Sequence, residues 1–430
     1  MDRNRTTAFY IIRDVESRRA YSHIATNNYI WRLKPPTPAF VRELAYGVIR
    51  RKLYLDYIIG NFVKTPIQKM DMTDLSLLRM GLYQLIFMNS VPDHAALNET
   101  VELAKTYAAG RDGFINAVLR QYLRDRDYVT LPDRAEDEDR YLSVKYSYAP
   151  WIVRQIRTDF GADRVESILE AGNMIPSLSL RVNTLRTSRK DLVTRFSNDG
   201  YTVTESPHCD NILDVKGDDL LQGRLYESGL YSVQDEGAET VVRMLAPKPG
   251  DYVVDVCAAP GGKTMSIAEA MGNIGAIAAI DIYKRKLQQI NDQAKRLGIS
   301  IVETWSWDAT RSDPDLVGRA DRVLVDAPCS GLGTVRKKPE IKYKGWNGEI
   351  ENLPRLQHDI LSASSAYVKP GGVLVYSTCT ILKRENDAVI KEFLRRHKDF
   401  LKVDTKLMMT DTDGTDGFYM CKMTRKELLV

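Results

Sequence analysis

After Tyr231 this chain of 430 residues alternates short apolar runs with segments of helical spacing, and that alternation limits its fold more than any other feature. Strands are expected at 252–256, 276–280, 301–305, 322–325 and 373–376, with helices between them, notably at 284–297 and 356–367. A chain of this order buries its apolar runs as a mainly parallel, doubly wound sheet with helices on both faces. Ligands of such sheets bind outside the carboxyl ends of the strands.

Those ends carry polar residues. Asp255 lies near the end of the first strand, Asp281 directly after the second, Asp308 just beyond the third and Asp326 directly after the fourth, while Cys379 stands three residues past Tyr376 on the fifth. Each Asp alone suits a turn or a helix cap, and Asp308, ahead of Ala309 and Thr310, fits a turn as well as it fits a site. Convergence on one edge of the sheet favours a site. The first loop reads Cys257-Ala258-Ala259-Pro260-Gly261-Gly262-Lys263-Thr264. Gly262-Lys263-Thr264 suggests a phosphate loop, but Cys257 stands where that motif needs its first glycine, and the dinucleotide pattern is absent too. A carboxylate after the second strand can accept hydrogen bonds from both hydroxyls of a ribose, so Asp281 suits a nucleoside-containing cofactor. S-adenosylmethionine has the adenosine without a pyrophosphate.

Two cysteines follow strand ends, Cys329 after Asp326-Ala327-Pro328 and Cys379 after Tyr376-Ser377-Thr378. A single cysteine in a reducing compartment is more often a small buried hydrophobe than a nucleophile. Two on one active edge favour covalent chemistry. Cytosine C5 is too weak a nucleophile to take a methyl group directly. Addition of a thiolate at C6 makes C5 carbanion-like; loss of the C5 proton with β-elimination then frees the enzyme. An acid near N3 would stabilise the charge that develops on the ring.

The rest of the chain divides at composition shifts. Residues 1–130 read as a helical bundle, with Thr37 and Asp93 as helix caps, Pro38 in a first turn and an apolar central helix at 75–88. Residues 131–140 are dense in charge and read as a linker, 141–230 as a small α+β domain, and 231–430 as the α/β domain. Arg3, Arg5, Arg18, Arg19, Arg50, Arg51 and Lys52 read as a solvated face or as phosphate contacts. For Arg336, Lys337, Lys338, Lys342 and Lys344 phosphate contact is the favoured reading, and Tyr343 and Trp346 can stack on a base or simply pack.

Hydrophobic content of 43% and charged content of 27% are ordinary, and a net charge of +4 permits a nucleic-acid partner without requiring one. No apolar run approaches the ~18 residues of a membrane span. Five scattered cysteines without a CxxC pair argue against a disulfide framework or a metal site and for a reducing cytoplasm.

DVCAAPGGKT at 255–264, Asp281 in AIDIYKRKL, Asp308 in WDAT, DAPCSGLGTVRKKPEIKYK at 326–344, YSTCTI at 376–381 and DGFYMCKM at 416–423 closely resemble the bacterial Sun/Fmu (RsmB) family of 16S ribosomal RNA cytosine-C5 methyltransferases. VPDHAALNETVELAK at 91–105 resembles the NusB-like domain of that family. The resemblance implies a NusB-like RNA-binding bundle, a small α+β domain and a Rossmann-like methyltransferase domain. It also implies that Cys257 to Lys263 and Asp281 bind S-adenosylmethionine, with Asp281 at the ribose, Asp308 on the adenine side and Asp326 between cofactor and base. Cys379 is the implied nucleophile, with Cys329 assisting breakdown of the adduct; a Pro-Cys nucleophile, as in DNA cytosine methyltransferases, would instead be Cys329. Tyr343 stands where many members have Trp, and Gln234-Asp235-Glu236-Gly237 varies an upstream motif. The expected partner is 16S ribosomal RNA at an unpaired or flipped cytosine, met by a monomer without a membrane. The alternatives are a non-catalytic NusB-like RNA-binding or antitermination factor, C5 methylation of another RNA, and methylation of DNA or protein by the same fold.

Overall fold

The computed structural model describes residues 2–18, 20–217, 220–221, 223–345 and 348–427. The chain forms two compact units, Met1–Met174 with Val335–Gly345, and Ile175–Thr334 with Trp346–Val430.

The first unit is helical. Helices Arg3–Arg18, Ser22–Leu33, Pro38–Arg50, Lys52–Gly60, Met72–Phe87, Asp93–Tyr107 and Asp112–Asp125 form the bundle, and Glu138–Tyr146, Pro150–Phe160 and Ala162–Ala171 follow. Met72–Phe87 is buried without a break from Asp74 to Gln84, the pattern of a helix at the centre of a bundle. Asp71 caps it, accepting from the Thr73 and Asp74 amides. The two caps expected from the sequence, Thr37 and Asp93, are not made. Thr37 precedes a helix with proline in its first turn, but at φ −129°, ψ 81° its side chain makes no cap bond. Asp93 is itself the first helical residue, because Pro92 takes the cap position, so its carboxylate acts at the positive helix end instead. The stretch expected as a linker is irregular up to Asp137, whose carboxylate caps the helix starting at Glu138.

Most basic residues of this unit have partners within it, while Arg18 remains largely exposed. Arg5 is buried against Gln84 Oε1 at 2.7 Å, Arg3 donates to the Lys34 carbonyl at 3.0 Å, Arg51 to that of Lys145 at 3.4 Å, and Arg18 and Lys52 pair with Asp14 and Glu16. Arg19 and Trp346 lie outside the described residues. Buried Arg50 donates to the Arg336 carbonyl at 3.0 Å, so the segment 335–345 packs among these helices.

Lys342 corrects the sequence reading most sharply. It is fully buried, its Nζ donating to the carbonyls of Arg50 (2.7 Å) and Tyr146 (3.1 Å) and to Asn173 Oδ1 (2.7 Å), above the Tyr148 ring at 4.4 Å. Burial, then the charges of Arg50 and Arg51, push this amine well down. Three acceptor oxygens nonetheless match the three protons of an ammonium. Tyr343 also packs in the bundle, its hydroxyl donating to the Arg50 carbonyl at 3.0 Å and accepting from the Lys52 amide at 3.2 Å. Lys342→Met would strand three buried acceptors. The expected cost is about 2–4 kcal/mol, read as a lower urea midpoint for this unit, and an unchanged midpoint would contradict the account.

The second unit carries two sheets. The smaller is antiparallel, in the order β2-β3-β1-β4, with β1 at Leu178–Val182, β2 at Thr202–Glu205, β3 at Ile212–Lys216 and β4 at Tyr231–Val233. Helix Arg189–Asn198 is capped by Ser188, as its sequence suggests. The larger sheet comprises β5 (Tyr252–Val256), β6 (Ala276–Asp281), β7 (Val302–Ser306), β8 (Ala320–Asp326), β9 (Val368–Thr378), β10 (Phe400–Met408) and β11 (Phe418–Arg425). Its order is β10-β11-β9-β8-β5-β6-β7, with β9 through β7 parallel and β11 antiparallel to both neighbours.

Alternation along β5 sends Val253 into one core, with Ile267 and Ile290, and Val254 into the other, with Leu361 and Phe393. Helices Glu236–Leu245, Gly262–Ala270 and Lys284–Leu297 cover the first face; Gly348–Ser365 and Asp387–Arg396 cover the second. From β5 the connections run outward through β6 and β7, then return to β8 on the opposite side. The crevice between β5 and β8 is therefore the topological switch point, where such sheets take their ligands.

Candidate active site

The loops after β5 and β8 flank this crevice, and Cys257 to Lys263, Asp281, Asp326, Cys329 and Cys379 lie on the strand ends and loops of the same edge, whereas Asp308 lies beyond the edge strand β7. After β5 the backbone turns at Cys257 (φ +61°) and Gly261 (φ +102°), with the Ala258 amide bonded to the Ile280 carbonyl on β6 at 2.8 Å. Any Cβ at position 261 would be strained at that φ and would press on Ile290 at 3.2 Å. The turn delivers the chain into helix Gly262–Ala270, whose N-terminus is a polar, positively polarised end. Asp281 at the end of β6 reaches back to this loop, accepting from the Ala259 amide at 3.2 Å and, through its other oxygen, from Tyr283 at 3.0 Å. Burial, then Asp281 and the neighbouring carboxylates, push the Cys257 thiol up, which makes it a poor nucleophile.

Asp255 supports the loop from below rather than meeting a ligand. It is buried, accepts from Thr264 Oγ1 at 2.6 Å, and burial pushes its carboxyl up to about 7. Asp308, two residues past β7, is exposed and accepts from the amide and hydroxyl of Thr310 at 3.0 and 2.8 Å, which holds it below the usual carboxylate range. The turn role is realised there.

Across the switch point Lys263 Nζ lies 2.7 Å from Asp326 Oδ2, and Ser377 donates to Asp326 Oδ1 at 2.8 Å. Burial opposes the Lys263 charge, but the charge and hydrogen bond of Asp326 outweigh it and raise the amine. The Phe418 ring lies 5.0 Å from the same Nζ. The two strand-end cysteines meet: Cys329 Sγ and Cys379 Sγ are 3.3 Å apart. The Cys329 thiol is pushed well up, first by its hydrogen bond to Cys379 and then by burial. Either sulfur can donate in that contact.

The two cysteine loops are stitched together beyond the sulfurs. Ser330 Oγ lies 2.8 Å from Thr380 Oγ1, and the Gly333 amide donates to the Cys379 carbonyl at 2.9 Å. A Cβ on Gly333 would sit 1.9 Å from the Gly417 carbonyl oxygen, so only glycine fits. Sequence reasoning missed several contributors: Arg181, Gln357, Ser377, Glu385 and Asn386. Their signal was weak, because a polar residue bound for burial looks like any surface residue in one sequence.

These residues fit S-adenosylmethionine: the Asp281 carboxylate for the ribose diol, a glycine-containing turn for close approach, and no pyrophosphate cradle. Among the described residues no His, Cys, Asp and Glu cluster could hold a metal ion. If Asp281 carries the ribose, Asp281→Ala is expected to weaken cofactor binding about 10-fold or more in calorimetry, the loss of charge-assisted hydrogen bonds. Unchanged affinity would remove Asp281 from the site.

A mostly parallel sheet whose switch-point loops meet this way is the Rossmann-like domain of S-adenosylmethionine-dependent methyltransferases. Residues 242–424 match the model described as 16S rRNA methyltransferase RsmB/F, 2–124 that of the NusB family, and 148–218 that of the ferredoxin-like domain of RsmF/B-like methyltransferases. Over 96% of both chains the sequence is 34% identical to a probable ribosomal RNA small subunit methyltransferase B of Bacillus subtilis. A protein of the same description from Synechocystis is 36% identical over 92% of this chain and 90% of its own. The crystal structure of PH0851 superposes with a TM-score of 0.84 at 27% identity, covering 98% of each chain. The chain belongs to the RsmB/F family of 16S rRNA methyltransferases.

Proposed function

We propose that this protein methylates cytosine C5 in 16S ribosomal RNA through a covalent adduct between Cys379 and C6 of the base. The observation that carries this reading is the pair of sulfurs 3.3 Å apart beside the Lys263–Asp326 ion pair. The Cys379 sulfur adds to C6, and the C5–C6 π electrons move to C5. When bound beside the Cys257–Lys263 loop, S-adenosylmethionine would supply an electrophilic methyl group for that carbon and would leave as S-adenosylhomocysteine. A base, for which a water suffices, then takes the C5 proton, and the C5–C6 double bond re-forms as the C6–S bond breaks. Cys329, 3.3 Å from the departing Cys379 sulfur, supplies it with a proton. Asp326 and Lys263 form the polar pair for the N3 edge of the ring, where charge develops. The target cytosine must be unstacked for a thiol to reach C6, so an unpaired or flipped nucleotide is the substrate.

The test is incubation of the protein and cofactor with 5-fluorocytosine-substituted 16S RNA, where fluorine blocks the elimination. A covalent complex that survives denaturation is expected, and bisulfite mapping of cellular RNA should show one cytosine losing protection when the gene is removed. No complex and no methyl transfer would leave a non-catalytic RNA-binding role as the better reading. Methyl transfer to DNA instead of RNA would overturn the substrate.

A further inference from the structure

Both cysteines sit in loops, yet each is bracketed by buried polar groups, and one turn contributes a neighbouring residue to each bracket, joined at Cys329 by Gln357 of the helix Gly348–Ser365. Around Cys379, Asn386 Oδ1 accepts from Thr378 Oγ1 at 2.6 Å and its Nδ2 donates to the Thr380 carbonyl at 2.9 Å. Asn386 thus holds the residue before the cysteine and the residue after it. Around Cys329 the same arrangement recurs with two side chains. Gln357 Nε2 donates to the Pro328 carbonyl at 3.0 Å, and Glu385 Oε2 accepts from the Ser330 amide at 2.8 Å. Gln357 Nε2 also donates to Glu385 Oε2 at 3.0 Å, closing the bracket. All three side chains are buried, Gln357 entirely. The turn that carries Glu385 and Asn386 is itself tied to β9, with Tyr376 donating to the Glu385 carbonyl at 2.7 Å.

We propose that Glu385 and Asn386 are the positioning pair of the active site, Asn386 setting the sulfur of Cys379 and Glu385, through Gln357 and Ser330, that of Cys329. The inference rests on the two-cysteine reading above and adds what that reading lacks, a means of fixing two mobile thiols at a working separation. Neither residue touches the base. A thiol in a loop without such brackets samples several rotamers, and a misplacement of about 1 Å in a reacting group costs about 10²-fold. Because the brackets are separate, their loss should separate the two halves of the reaction. The Glu385 bracket is made by Oε2 alone; Oε1 is buried without a partner, so exchanging it for an amide nitrogen breaks no bond.

The experiment compares Asn386→Ala, Glu385→Ala and Glu385→Gln with the parent full-length chain. With 5-fluorocytosine RNA, Asn386→Ala is expected to slow adduct formation about 10-fold or more, while Glu385→Ala forms it within about 3-fold of the parent rate. With ordinary RNA, Glu385→Ala is expected to accumulate adduct about 10-fold above the parent, and Glu385→Gln to restore release. A second arm needs no substrate: iodoacetamide labelling of the free protein, followed by mass spectrometry, should change at Cys379 in Asn386→Ala and at Cys329 in Glu385→Ala. Equal changes at both cysteines in both variants, or a Glu385→Gln variant as impaired as Glu385→Ala, would overturn the proposal. If the parent forms no adduct while labelling still splits, the positioning stands and the cytosine chemistry falls.

Discussion

Cys379→Ala is expected to abolish methyl transfer, by about 10³-fold or more, and to remove the covalent complex with 5-fluorocytosine RNA entirely. Without that sulfur there is no group to add at C6, and C5 remains an unreactive ring carbon. Cys329→Ala should behave differently. The adduct still forms, because the nucleophile is intact, but the second thiol of the 3.3 Å contact is gone. The departing thiolate then has no adjacent acid, so the complex with ordinary RNA should persist on a denaturing gel. The two sulfurs lie 3.3 Å apart, close enough for a proton to pass between them. Reversed behaviour, with adduct lost in Cys329→Ala and kept in Cys379→Ala, would exchange the two roles.

The second large effect is expected far from the sulfurs, at Arg181 on β1. This fully buried guanidinium forks onto Glu269 at 3.0 and 2.8 Å, bonds Gln234, and donates to the Gly262 carbonyl at 2.9 Å. Glu239 extends the network, accepting from Ser266 at 2.6 Å, Asn211 at 2.8 Å and Gln234 at 3.2 Å. The small sheet therefore grips the first turn of the helix that follows the Cys257–Gly261 loop. Arg181→Met leaves the Glu269 carboxylate buried without its partner, which costs about 3–5 kcal/mol. Cofactor affinity should fall with it, since the Gly262 carbonyl loses a donor at the loop itself. The double variant Arg181→Met with Glu269→Leu should recover a good part of the stability, because the stranded charge is removed. Chemical denaturation and calorimetry check both statements; a single variant costing under about 1 kcal/mol would show that the network does not hold the helix.

The same network shows why some of the molecule was legible in its sequence and some was not. The strands β5 to β9 and the helix Lys284–Leu297 were readable because apolar periodicity is a local property, set by which face each residue must bury. The edge pair β10 and β11 was passed over. On β10 only Phe400 and Met408 are buried, and Lys402, Asp404 and Lys406 interrupt any alternation. Its assignment depends on pairing with β11, which in turn pairs with β9. Lys342 is the opposite case. Its neighbours in sequence are charged, so it looked solvated, yet three oxygens contributed by residues 50, 146 and 173 bury it completely.

By itself the sequence determined the class of fold, the strand-end loops and the identities of the residues at them, since these follow from short-range pattern and residue chemistry. It could not decide which polar residues work on a ligand and which work on the protein. Asp255 and Asp281 look alike along the chain, but burial beneath the loop gives one to Thr264 while the end of β6 gives the other to the loop backbone. Two cysteines 50 positions apart come within 3.3 Å only because the parallel pairing of β8 with β9 brings their loops together. That pairing, together with the bracket from Glu385 and Asn386, places one sulfur against the other. Such placement depends on residues distant in sequence, which is why tertiary structure alone decided it.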